Sequence, residues 1–352
     1  MKKLLVLLLV CMLAVPFGAL ASDETYEIAL VTDVGNIDDH SFNQSSWEGV
    51  KDFAETNGIT YNYYRPSEDS NEARIDTIEA AIAKGAKVVV LPGWLFADSA
   101  ATIAGKYADI NVLLLDSGPA EEGAGLPNIY SILYQEEQAG YFAGYAAVKA
   151  GYTKLGFLGG MDVPAVVRYG YGFVQGVNDA AVELGIEDEI VLKYWYSQVF
   201  WPLDEIKIKM DGWYTEGIEV VFACGGGIYL SCVAAAEQAG AKVIGVDTDQ
   251  ALDSELIITS AMKALHNSVV KSLTALYANG GEWPEHMAGA VETLGAKDDC
   301  VGLPTDEGSW RLDGFTVEEY EELFAKVKSG EIAVSDNIDE RPEVVIDVDY
   351  QE

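Results

Sequence analysis

The chain has 352 residues, with 57 Asp and Glu against 22 Lys and Arg, a net charge of −35 at pH 7. That balance argues against nucleic acid, anionic membrane surfaces and highly charged ligands such as nucleotides as partners, because like charges repel on approach. Its three histidines, His40, His266 and His286, are unclustered, so no zinc site is indicated and no cofactor is expected.

The N-terminus carries Lys2 and Lys3, an apolar run from Leu4 to about Phe17, and Ala19-Leu20-Ala21 before a charged segment. This pattern predicts a secretory signal peptide over residues 1–21, cleaved near Ala21, and an exported, periplasmic or otherwise extracytoplasmic protein. The apolar run is shorter than the ~20 residues of a spanning helix. Cys11 follows Leu9-Val10, without the small residue expected before an acylated cysteine, so a lipid anchor there is not expected. Cys224, Cys232 and Cys300 remain after cleavage, an odd number that excludes a fully paired framework; a Cys224–Cys232 bridge stays open.

The mature chain, about 330 residues, is long enough for two domains. Strand-like apolar runs alternate with helical patterns: YEIALV, a helix near Ser45 to Asn57, ITYNYYRP, a helix near Asn71 to Lys84, KVVVLPG, a helix near Asp98 to Tyr107, then NVLLLDSG and NIYSILYQ. A second series follows a helix near Gln138 to Ala150: KLGFLGG, a helix over Val167 to Leu184, EIVLKYWY, a helix over Pro202 to Glu216, VVFACGGG, a helix over Tyr229 to Ala239, KVIGVD and ELIITSAMK. This rhythm predicts an α/β chain of two doubly wound parallel sheets with right-handed crossovers. The expected division is 26–131 plus 248–285 for one domain and 132–247 plus 286–352 for the other. The acidic tail from Asn337 reads as a final strand plus a frayed end.

Function-bearing residues gather where strands end. TDVGNIDDHSFNQSSWEGV, Thr32 to Val50, packs carboxylates, amides, a hydroxyl and Phe42 into the turn after the first strand, the sheet edge where ligands bind in open α/β folds. Ser41 or Asn43 is the expected helix cap there, which leaves Phe42 no helical face to join, and Asp38, Asp39 and Asn43 also suit plain turn and cap roles. Later strands end at Asp116, at Gly225-Gly226-Gly227, at Asp247 and Asp249, and at Lys263. The triple glycine lacks the spacing of either nucleotide fingerprint and reads as a tight turn admitting close backbone approach to an uncharged ligand. Arg168, Trp94, Phe96, Trp195, Trp201 and Tyr134 lie near strand ends or loops, where salt bridging and packing are the ordinary roles. No motif for nucleophilic catalysis is present. Asp33, Asp38 and Asp39 suggest, as the alternative, a calcium-dependent nucleoside hydrolase, although Val31 stands where its first aspartate belongs and one extra residue separates Asp33 from Asp38-Asp39.

The segments ALVTDVGNIDDHSFNQSSWEGV, LLLDSG, QAGYFAGYAA, LGFLGGMDVPAVVRYGYGFVQGV, VVFACGGG, IGVDTDQ and ITSAMKALHNSV together resemble the basic membrane protein family, the purine-nucleoside-receptor type of ABC transporter substrate-binding protein. The resemblance implies a type I periplasmic-binding-protein fold, two domains joined by three hinge crossings, and a purine nucleoside held between them for delivery to an ABC permease. It implies that Asp33 and Asn43 face the base, that Phe42 and Phe222 stack on its two sides, and that Asp116 and Asp247 accept hydrogen bonds from ribose hydroxyls, with Gly227 and Lys263 close by. Asp249, Trp94 and Arg168 are further candidates. A non-enzymatic monomer follows from this reading, and a third possibility keeps the fold but exchanges the nucleoside for a sugar, a furanose or a cation.

Overall fold

The structure, a computed structural model, describes residues 25–351; the leader expected over residues 1–21, with Cys11, lies outside them. In chain order the main elements are β1 (Ile28–Val31), α1 (Phe42–Asn57), β2 (Tyr61–Tyr64), α2 (Asn71–Ala83), β3 (Val88–Pro92), α3 (Ala97–Lys106), β4 (Asn111–Leu115) and β5 (Ile129–Tyr134). Then come α4 (Glu136–Lys149), β6 (Lys154–Gly159), α5 (Pro164–Leu184), β7 (Val191–Tyr196), α6 (Asp204–Thr215), β8 (Val220–Cys224), α7 (Tyr229–Ala239), β9 (Lys242–Asp247) and β10 (Ile257–Lys263). The chain closes with α8 (Leu265–Ala278), β11 (Val291–Leu294), β12 (Val301–Gly302), α9 (Val317–Ser329) and β13 (Asp347–Tyr350).

Two sheets result, ordered β11-β5-β4-β3-β1-β2 and β12-β10-β9-β8-β6-β7-β13. Every pairing is parallel except β10 with β12. Central strands such as β1, β3 and β8 are buried along their whole length, which is why they read as unbroken apolar runs rather than alternating ones. The tail adds β13 as an edge strand on β7.

Sheet membership divides the chain differently from the expected boundaries. β5 completes the first sheet, so the first crossing between lobes falls at Gln135–Glu136. β10 pairs with β9 and keeps the chain in the second lobe to Lys263. The chain then returns: α8 packs on α1, and β11 joins β5. A last crossing over residues 295–300 leads to β12. The apolar run of β10 needed a buried partner strand, which β9 supplied, and no change in composition marks any crossing.

The second lobe is anchored by an unusually close helix pair. Gly140 and Gly144 on α4 face Gly172 and Gly176 on α5, and a Cβ on any of them would overlap a backbone carbonyl of the opposite helix. These glycines are the recurrent feature of QAGYFAGYAA and YGYGFVQGV. Pro164 starts α5 and Gly185, at φ 68°, ends it, each where its backbone preference suits a helix terminus.

Candidate functional site

The cavity between the lobes lies at the carboxyl ends of both sheets. From the first lobe it is lined by Asp33, Asp39, Phe42, Asn43, Trp94 and Asp116, and from the second by Val166, Tyr169, Phe200, Cys224, Gly225, Gly226, Asp247 and Lys263.

The turn between β1 and α1 supplies half of its first wall, and the ends of β3 and β4 supply the rest. The Asp39 carboxylate accepts from the backbone N–H groups of Ser41 (2.9 Å), Asn43 (2.9 Å) and Gln44 (3.0 Å). Asp39 therefore supplies the helix cap that was expected of Ser41 or Asn43, satisfying donors a helix start leaves free. Ser41 is thereby released, and its hydroxyl donates to Asp247 Oδ2 at 2.6 Å. Asn43 Nδ2 donates to Asp33 Oδ1 at 2.8 Å and to Asp39 at 3.1 Å, while Gly35 N donates to Asp33 Oδ1 at 2.7 Å. Phe42 is the first helical residue, half-buried, with its ring on the cavity. Asp38 is exposed, apart from the buried Asp33 and Asp39.

Two further carboxylates sit at the ends of β4 and β9. Asp116 and Asp247 both adopt left-handed backbone, φ 60° and 65°, a conformation uncommon outside glycine and found where a side chain must be aimed. Between them lies Lys263, buried at the end of β10. It pairs with Asp116, lies 3.4 Å from Glu136 Oε1 and 3.6 Å from Asp247 Oδ1, and stands 4.8 Å from the ring centre of Phe42. Arg168 reaches this network one step back, through Glu136 at 2.6 Å. Asp116 Oδ1 is buried without a hydrogen-bond partner among the described residues, and such an acceptor gains from a donor brought in by a ligand.

Burial sets the electrostatics. It pushes the Asp33 carboxyl up to about 6 against the opposing hydrogen bonds from Asn43 and Gly35. Asp116 rises to about 7, burial outweighing the Lys263 ammonium, and Asp39 is raised for the same reason. Burial works against the Lys263 ammonium, but Asp116, Asp247 and Glu136 together hold its pKa above the ordinary lysine range.

Two expected site residues lie elsewhere. Phe222 is fully buried, its ring packed on Phe157, Phe173 and Tyr169 at 5.5, 5.4 and 6.0 Å between centres. It stands two residues short of the end of β8, on the face it shares with Cys224, so Cys224 reaches the cavity and Phe222 stays beneath it. The second-lobe aromatics at the cavity are Tyr169, on α5, and Phe200, in the loop after β7. Gly160 and the triple glycine seat that loop: a Cβ on Gly160 would overlap the Phe200 ring, one on Gly226 would come within 2.8 Å of Phe200 O, and Gly227 N donates to Phe200 O at 2.9 Å. Gly225 and Gly226 line the cavity, whereas Gly227 packs against Pro202 outside it. Asp33, Phe42, Asn43, Asp116, Asp247 and Lys263 are brought together as expected, and Trp94 joins them, half-exposed, at the lip. Asp249 is engaged by Ser309 and by the Ala251 N–H. Tyr169 and Phe200 are lining residues the sequence reading did not select, and Asp39 entered it only as a turn residue or as part of the acidic cluster of the alternative; the end of the EIVLKYWY strand was the available signal for Phe200. Cys224, Cys232 and Cys300 are free thiols.

Residues 27–337 match the family model described as ABC transporter substrate-binding protein PnrA-like. The chain belongs to this family. Among its relatives, the ABC transporter nucleoside-binding protein BmpA of Lactococcus lactis subsp. cremoris is 26% identical over 86% of this chain and 85% of its own length. Basic membrane protein A1 of Borrelia garinii subsp. bavariensis is 28% identical over 96% of both chains. In fold, the chain is similar to an ABC transporter solute-binding protein of Aeropyrum pernix K1, with a TM-score of 0.76 at 22% identity, covering 89% of this chain and 95% of that one. A solute-binding protein of Conexibacter woesei gives a TM-score of 0.69 at 19% identity, covering 89% and 99%. The PnrA-like chain thus has the type I periplasmic-binding fold, and its family comprises substrate-binding proteins.

Proposed function

We propose that the protein is an exported monomeric receptor that closes on a nucleoside, a purine nucleoside by preference, and presents it to an ABC permease. The observation that carries this reading is a cavity with an aromatic ring from each lobe, Phe42 and Phe200, flanked by buried strand-end aspartates, one of which has an oxygen unpartnered among the described residues. The relative named as a nucleoside-binding protein supports the same ligand class.

In this reading Phe42 and Phe200 stack on the two faces of the base, and Asp33 with Asn43 faces its polar edge. Asp116 and Asp247 accept the ribose hydroxyls, which selects against deoxyribose, while Lys263 balances the two carboxylates and lies beside the sugar. Stacking contributes about 1–3 kcal/mol per base face and a hydrogen bond to a charged acceptor about 1.5–3 kcal/mol. After association and closure costs, a few such contacts give roughly micromolar to nanomolar affinity. Buried carboxylates repel a phosphate, so nucleosides bind more tightly than nucleotides. A solute touching both lobes also drives closure, because it interacts differently with the open and closed arrangements.

The test is isothermal titration of the mature protein, unfolded and refolded to remove carried solute, against guanosine, inosine, adenosine, cytidine, ribose and furanoses. Tight purine-nucleoside binding without release of free base is the expected result. Binding of sugars alone would overturn the base-stacking assignment.

A further inference from the structure

The lobes also meet through polar contacts away from the three chain crossings. On the first lobe the contact residues are His40 and Ser41, just before α1; on the second they belong to the loop between β9 and β10. Thr248 Oγ1 and Gln250 Nε2 both donate to the His40 carbonyl, at 3.1 and 3.0 Å. His40 Nδ1 lies 3.0 Å from Asp253 Oδ1, and Ser41 donates to Asp247 as described. His40, Ser41, Thr248, Gln250 and Asp253 do not line the cavity.

Both sides of this seam are preset. His40 is held at φ 52°, the left-handed region, and this turns its carbonyl toward the second lobe. Gln250 is buried, with its Oε1 accepting from Val246 N at 3.0 Å and its own N–H donating to Ser260 Oγ at 3.1 Å. Asp253 is fixed by the Tyr229 hydroxyl at 2.8 Å. Little side-chain freedom is therefore lost when the two sides meet, and ordering consumes little of the contact free energy.

We propose that this seam is a closure latch, in which the His40 carbonyl, Ser41, Thr248 and Gln250 strengthen solute binding without touching the solute. Contacts that exist only with the lobes together raise the closed population, and apparent affinity scales with that population. The latch also positions the site. Ser41 occupies Asp247 Oδ2, leaving Oδ1 toward Tyr169 (3.5 Å) and Lys263 (3.6 Å), so a first-lobe hydroxyl orients a second-lobe carboxylate only on closure. This inference rests on the receptor reading for its ligand but not for its geometry.

The experiment compares refolded wild type with Thr248→Val, His40→Val and His40→Gly. The His40→Val variant places a β-branched residue at positive φ and misdirects the carbonyl, whereas His40→Gly keeps the backbone and removes only the imidazole. Stopped-flow release of inosine should quicken about three- to tenfold in Thr248→Val and His40→Val, with little change in association rate and less than about threefold change in His40→Gly. Small-angle scattering of the solute-free proteins should show wider particles for the first two variants than for wild type. Unchanged release and unchanged dimensions in correctly folded Thr248→Val and His40→Val would overturn the latch. If wild type binds no nucleoside, the receptor reading fails, and the scattering comparison alone still decides the latch.

Discussion

The two walls of the cleft are built in opposite ways. The first-lobe wall is centred on one continuous segment, Asp33 to Asn43, whose carboxylates and amides hold one another through hydrogen bonds spanning at most ten residues, with the ends of β3 and β4 beside it. The second-lobe wall is assembled from the ends of β6, β7, β8 and β9, and its Phe200 ring stands where it does because glycines in two other loops leave room for it. A wall made of local hydrogen bonds tolerates change elsewhere in its lobe. A wall made of converging loops depends on every strand beneath it.

The sharpest way to break this comparison is the pair Phe222→Ala and Phe200→Ala. Removing the Phe222 ring opens a cavity in the second-lobe core and should cost about 3–5 kcal/mol of stability in denaturant titration, with nucleoside affinity of the folded fraction changed little. Removing Phe200, half-buried on a loop, should cost little stability yet weaken nucleoside binding by roughly 5- to 150-fold, the equivalent of one stacked face. The reverse pattern would return the stacking role to Phe222.

A second effect follows pH. Burial raises Asp33 to about 6, Asp116 to about 7 and Glu137 to about 8. The folded state therefore binds these protons more tightly than the unfolded chain, and their contribution is complete below about pH 4, then declines as pH rises through those values. The solute-free protein should melt at a lower temperature at pH 8 than at pH 5.5. Glu137, whose two carboxyl oxygens lack hydrogen-bond partners among the described residues, dominates the upper part of this window. The Glu137→Gln variant should match wild type at pH 5 and exceed its stability at pH 8.5; identical slopes would exclude Glu137 as a contributor.

What the sequence disclosed follows the same divide. Asp33, Phe42 and Asn43 were legible because they share one turn after one apolar strand, and Asp116, Asp247 and Lys263 because each ends a strand of recognisable composition. Phe222 was misplaced because a strand's last two inward residues look alike in sequence, and only the depth of β8 against α5 decides which one reaches the cavity. Phe200 was missed because its position depends on contacts with Gly160, Gly225 and Gly226, between 25 and 40 residues away along the chain in two directions for the nearer pair and the farther one. The two sheets could be anticipated from the strand-helix rhythm, but the assignment of β10 and β11 to lobes could not, since pairing with β9 and β5 leaves no local mark.

The smallest effect is expected where the first wall is most densely bonded. Asp39 accepts three backbone N–H groups at the start of α1, so Asp39→Ala should cost about 1–2 kcal/mol as a lost cap. The same substitution removes a buried carboxyl that desolvation already disfavours, and this relief offsets part of the loss, leaving a net cost near 1 kcal/mol. Asn43 would retain its bonds to Asp33, in both directions across that pair, and nucleoside affinity should fall by less than about tenfold. A larger fall in affinity at unchanged stability, measured by titration calorimetry beside denaturant melts, would mean that Asp39 contacts the solute itself, and the first wall would then be as dependent on its occupant as the second.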